Sequence, residues 1–88
     1  MIHPSMEEFL SFVSAKRPDE SYIFDNPDAC ACGQFAEKIG VLDWLDDPRD
    51  RPFWNAANRL AGEGAYNFGR LASSVQEYIA DEAEETRP

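Results

Sequence analysis

Proline and glycine cut this chain into pieces of helix length. Pro18, Pro27, Pro48 and Pro52, together with Gly40, Gly62 and Gly64, leave intervals that carry the apolar period of amphipathic helices. A proline inside a helix removes a hydrogen bond and clashes with the preceding turn, so long continuous helices across these points are excluded. The fold class that follows is mainly α, a compact bundle of about four short helices. A minor β-element fits near residues 21-24 or 41-45.

Each interval carries start and stop signals. Ser5 followed three residues later by Glu8 has the pattern of a capping box. Met6, Phe9, Leu10 and Val13 then recur at i, i+3, i+4 and i+7, Phe12 widens the stripe, and Pro18 stops it near Lys16. This predicts a helix over 6–16. Tyr22-Ile23-Phe24, three bulky β-formers in a row, reads as a short extended segment. Asn26 as N-cap and Pro27 at the first helical position predict a second helix over 27–39, with Asp28 suited to the positive end of its dipole. Its buried stripe is Cys32, Phe35, Ala36 and Ile39, and Gly40 closes it. Val41 to Asp47 alternates apolar and acidic residues up to Pro48, and a short strand and a single helical turn fit it equally. Asp50 and Pro52 open a third helix containing Phe53, Trp54, Ala56, Ala57 and Leu60, which runs to Gly62. The last helix is the clearest, capped by Asn67, with Phe68, Leu71, Ala72, Val75, Tyr78 and Ile79 in period. Residues 1-80 read as one small acidic helical domain, and 81-88 as an acidic tail that frays into solvent.

Composition excludes several classes of function. Seventeen acidic against eight basic residues give a net charge of −9. Such a chain lacks the basic footprint of a nucleic-acid binder, and an anionic membrane surface repels it. No apolar run reaches the ~20 residues that span a bilayer, and no basic region followed by an apolar stretch marks the amino terminus. The expectation is a soluble protein of the cytoplasm. At 43% hydrophobic and 12% aromatic the chain is too apolar to be wholly disordered. Its 88 residues build only a small core, so a partner subunit, including a second copy in a homodimer, can add burial.

Cys30 and Cys32, one residue apart, are poorly spaced for a disulfide, and reduced thiols are the expectation. Cys30 in the first turn of a helix has the place of an activated nucleophile. The single histidine, His3, stands at the terminus, so the general base that thiol catalysis needs is poorly provided. Packing is the stronger reading for both cysteines. A zinc site needs more soft ligands than His3 adds, and Asp43, Asp46 and Asp47 lack the spacing of a calcium loop. A phosphate would be repelled by the glutamate in Gly62-Glu63-Gly64. The reading is therefore non-enzymatic, with no cofactor and no metal.

What stands out is the placement of negative charge. Glu77, Asp81 and Glu85 fall at i, i+4 and i+8, one line along the last helix. Asp43, Asp46, Asp47 and Asp50 form a second concentration, and Asp19, Glu20, Asp25 and Asp28 a third. Trp44 sits inside the second, either as an interface anchor with a charged rim or as a core residue. Trp54, next to Phe53, fits the core. An acidic surface with an aromatic anchor suits a basic partner, such as the nucleic-acid groove of another protein. The candidate partner-binding residues are Asp43, Trp44, Asp46, Asp47 and Asp50, then Glu77, Asp81 and Glu85. Charge kept only for solubility is the competing explanation.

Tyr22-Ile23-Phe24 leading into Cys30-Ala31-Cys32-Gly33-Gln34-Phe35, then Asn67-Phe68-Gly69-Arg70-Leu71, resembles small uncharacterised proteins of bacterial and phage genomes. The resemblance spans residues 7 to 80 and implies a compact single domain. In size, acidity and lack of catalytic groups the chain is similar to anti-CRISPR and other phage-encoded inhibitors. That similarity implies a non-enzymatic protein in a bacterial host cell that occupies the nucleic-acid-binding surface of a defence complex. Arg49, Arg51, Arg59 and Arg70 interrupt the negative charge, so patches rather than an extended DNA mimic are expected. The alternatives are a small structural or regulatory subunit, or a thiol-dependent enzyme using Cys30.

Overall fold

The computed structural model describes residues 4–23, 30–41, 44–46, 48–63 and 66–85. Four α-helices account for most of them: α1 (Met6–Ser14), α2 (Ala31–Ile39), α3 (Arg51–Ala61) and α4 (Phe68–Glu85). A single 3-10 turn, Trp44–Asp46, precedes α3. The protein is mainly helical, as its apolar periods imply.

The helix starts have local chemical causes. Ser5 Oγ accepts a hydrogen bond from the Glu8 amide at 3.2 Å, and Asn67 Oδ1 accepts one from the Arg70 amide at 2.8 Å. Both satisfy donors that a helix start leaves open. For α2 the start differs from expectation. The N-cap is Cys30, in extended conformation, whose Sγ accepts from the Gly33 amide at 3.2 Å. A helix running unbroken from Pro27 is thereby ruled out, while Asn26 and Pro27 lie outside the described residues. At the other end Gly40 takes φ +82°, and the Val41 amide reaches back to the Ala36 carbonyl at 2.8 Å. That left-handed conformation suits glycine. α1 ends at Ser14, two residues before the expected stop at Lys16. α4 runs on through Glu85, so helix covers most of the stretch read as a tail.

Of the two places expected for a β-element, the first holds one isolated antiparallel bridge, Ser21 with Asn67. The Tyr22 amide donates to the Tyr66 carbonyl at 3.0 Å, and the Phe68 amide to the Glu20 carbonyl at 2.9 Å. Phe24 lies outside the described residues. At the second place, Trp44, Leu45 and Asp46 form the helical turn, the other option for that segment.

α1 packs along α4 and α2 against α3. Phe12 of α1 meets Phe68 at the start of α4, while Met6 shares a cleft with Tyr78 and Ile79 near the end of α4. The two helices are therefore antiparallel. Ring contacts cross the whole core: Trp44 to Trp54 at 5.3 Å, Trp54 to Phe35 at 6.2 Å, Phe35 to Phe12 at 5.4 Å, and Phe68 to Tyr22 at 5.1 Å. Each such pair adds about 0.5–1.5 kcal/mol beyond area burial. Tyr22 ties the loop after α1 to α3 by donating its hydroxyl proton to the Ala61 carbonyl at 2.7 Å.

Candidate functional site

Antiparallel packing sets the first turn of α1 beside the last turns of α4. A cleft of about 400 Å³ opens there, lined by Met6, Tyr78 and Ile79, with Glu7, Glu82 and Ala83. Met6, Tyr78 and Ile79 are only half-buried, so the apolar stripes of both helices extend past the core. Glu77 and Asp81, both exposed, continue the negative charge on α4 at one-turn spacing, about 6 Å apart along the axis. Glu85 follows on the same helix. From Leu71 to Glu85 there is no lysine or arginine.

The acidic end of α4 opposes its own backbone. Carbonyl groups make the C-terminal end of a helix negative, so carboxylates there are mildly unfavourable. No basic residue occupies the last turn to offset them. Glu7 and Glu8, in the first turn of α1, have the favourable placement.

The second concentration is divided. Asp46 is exposed in the 3-10 turn, and Asp50 is the N-cap residue of α3, its carbonyl accepting from the Trp54 amide at 3.1 Å. Asp43 and Asp47 lie outside the described residues. Trp44 is 9% exposed and packs on Trp54, which matches the core reading and not an exposed anchor. The neighbouring Leu45 is the exposed apolar group, at 61%. Sequence reasoning missed Leu45, Glu7 and Glu82. Alternation could have signalled Leu45 once Trp44 was assigned inward. Only the pairing of α1 with α4 brings Glu7 to Glu82.

The cysteines are structural in their surroundings. Neither is in a disulfide, and Cys30 is 2% exposed with its sulfur engaged by the Gly33 amide. Burial, and then the neighbouring Cys30, push the Cys32 thiol well above its ordinary range. Among the described residues no three His, Cys, Asp or Glu side chains are grouped so as to hold a metal. None of their helices is long and apolar enough to cross a membrane.

A larger groove of about 810 Å³ runs between α1 and α2, lined by Phe12, Ala15, Phe35 and Ile39 among others. Its rim carries both signs, Lys16 and Lys38 with Glu8 and Glu37. The Lys16 ammonium lies 5.2 Å from the Phe12 ring centroid and 5.8 Å from that of Phe68. No protein-family model matches this sequence, and comparison with curated proteins and with solved structures finds no significant match.

Proposed function

We propose that this protein is a non-enzymatic inhibitor of phage or mobile-element type. It binds a nucleic-acid-handling protein complex and blocks its nucleic-acid-binding surface. The observation that carries the reading is the acid-rimmed cleft, with Met6, Tyr78 and Ile79 between Glu7 and Glu82, continued by Glu77 and Asp81. Its apolar floor supplies burial, and its carboxylates engage the lysines and arginines that otherwise hold phosphates. Asp46 and Asp50 offer a second acidic contact. Carboxylates serve solubility equally well anywhere on a surface. Their concentration where the helix dipole opposes them favours a role in recognition.

Affinity capture from bacterial lysate, with and without competing duplex DNA, tests this function. A nucleic-acid-binding complex that DNA displaces, and that Glu77→Lys/Asp81→Lys fails to recover, is the expected result. Capture unaffected by both the DNA and the double variant overturns the blocking mechanism. A self-associating structural or regulatory subunit is the second reading, favoured by the exposed Ile23 and Leu45. Sedimentation of the purified chain as a dimer, with no complex recovered, would select it.

A further inference from the structure

A second concave site has the opposite chemistry. On α3, Arg51, Trp54, Asn55 and Asn58 fall at i, i+3, i+4 and i+7, and with Trp44 and Leu45 they line a pocket of about 460 Å³. Trp54 is 3% exposed, and its indole Nε1–H is buried without a hydrogen-bond partner. Native proteins leave few buried donors unpaired, so this N–H, on a residue that lines the pocket, lacks the acceptor such groups normally have. Among the described residues no ion pair engages Arg51, and no side-chain hydrogen bond engages Asn55 or Asn58. The pocket thus gathers four donor-bearing side chains beside an apolar wall made by the Trp44 ring and Leu45. Asp46 and Asp50 adjoin it in sequence and do not line it.

We propose that this pocket binds a carboxylate carried on a small apolar frame. The arginine fork and the indole N–H match the two oxygens of a carboxylate, which accepts stronger hydrogen bonds than a neutral carbonyl. Trp44 and Leu45 cover the apolar part. The site shares no residue with the acidic cleft and stands independently of the function proposed there. Its natural occupant is either a free small acid or the terminal carboxylate of a peptide chain.

Both tryptophans of the chain line the pocket, so their fluorescence reports on it directly. The intact protein is titrated with cyclohexylacetate, with its neutral amide, and with a short leucine-ended peptide in free-acid and amidated forms. The expected result is saturable binding with Kd of about 1 mM or tighter for the acids. The amides bind about tenfold more weakly. Arg51→Gln removes that preference, and Trp54→Phe, which keeps a ring and leaves Trp44 as reporter, weakens binding about fivefold. Arg59→Gln, elsewhere on α3, leaves it unchanged. A peptide acid that binds more tightly than cyclohexylacetate assigns the site to a chain terminus, and equal affinity assigns it to a small acid. A rise in thermal midpoint with each bound acid gives a second readout that does not depend on fluorescence. No saturable response to any probe, or folded Arg51→Gln and Trp54→Phe variants that bind like the parent, overturns the proposal.

Discussion

Gly69 lies against Pro18 so closely that a β-carbon on it would come 2.8 Å from the Pro18 carbonyl oxygen and 3.0 Å from the Pro18 β-carbon. The Gly69 amide donates to that same carbonyl at 3.0 Å. The loop leaving α1 is thereby held to the first turn of α4. Because the crowded atoms include the Pro18 carbonyl oxygen and, at 3.1 Å, its α-carbon, both backbone, the loop has little freedom to yield. Gly69→Ala, which in an open helix stabilises by about 0.5–1 kcal/mol, is expected to destabilise by about 2 kcal/mol here. Thermal unfolding checks the sign, with a midpoint lower by about 10 °C.

Trp44 provides a test between core and surface roles. Its ring centroid is 5.3 Å from that of Trp54, and the side chain is buried. Trp44→Ala should cost about 3 kcal/mol of stability by the loss of packed volume. Leu45→Ala, next to it and exposed, should stay within about 0.5 kcal/mol. Urea denaturation of the two variants measures both.

Alkaline pH should unfold the protein early. Tyr22 is pushed from 10.0 up to about 12 by burial, then by Cys32, Tyr66 and Cys30, and Cys32 is raised from its ordinary 9.0. Both groups are neutral when protonated and are held protonated by the fold. In the unfolded chain they ionise at ordinary values. Their contribution is therefore fully present below about pH 9 and declines as pH rises toward about 12. Tyr22→Phe should cost about 1 kcal/mol at neutral pH through the lost bond to Ala61, and flatten the alkaline decline. Urea midpoints across this pH range decide it.

Asp81→Lys should separate stability from recognition. The substitution removes a carboxylate near the negative end of α4 and sets a lysine four residues after Glu77. Helix pairs of that kind and the dipole together predict a gain of about 0.5 kcal/mol. If the acidic end of α4 binds a basic partner, the same variant captures that partner less well. Stability rising while capture falls is the expected outcome, read by thermal unfolding and by capture from lysate.

Elements whose causes are local are legible in the amino-acid sequence. The Ser5 and Asn67 caps, the left-handed Gly40 and the apolar periods of α1 and α4 depend on residues within a few positions of each other. The start of α2 departs from this, because Asn26-Pro27 carries a valid local signal, whereas the cap that forms uses the Cys30 sulfur, and so does the end of α4, which runs through Glu85 where a tail was expected. The acidic row on α4 is visible as spacing. Its extension to Glu7 and Glu82 is not.

The sequence by itself determined a mainly helical acidic chain, the number of its helices and most of their ends, because caps, breaks and periodicity act over one or two turns. Tertiary structure alone decided that Trp44 points inward, that Gly69 must be small, that carboxylates from opposite ends of the chain share one cleft, and that the Trp54 indole is left without an acceptor. Each of these depends on which helix packs against which, and a contact between distant residues leaves no trace in local spacing.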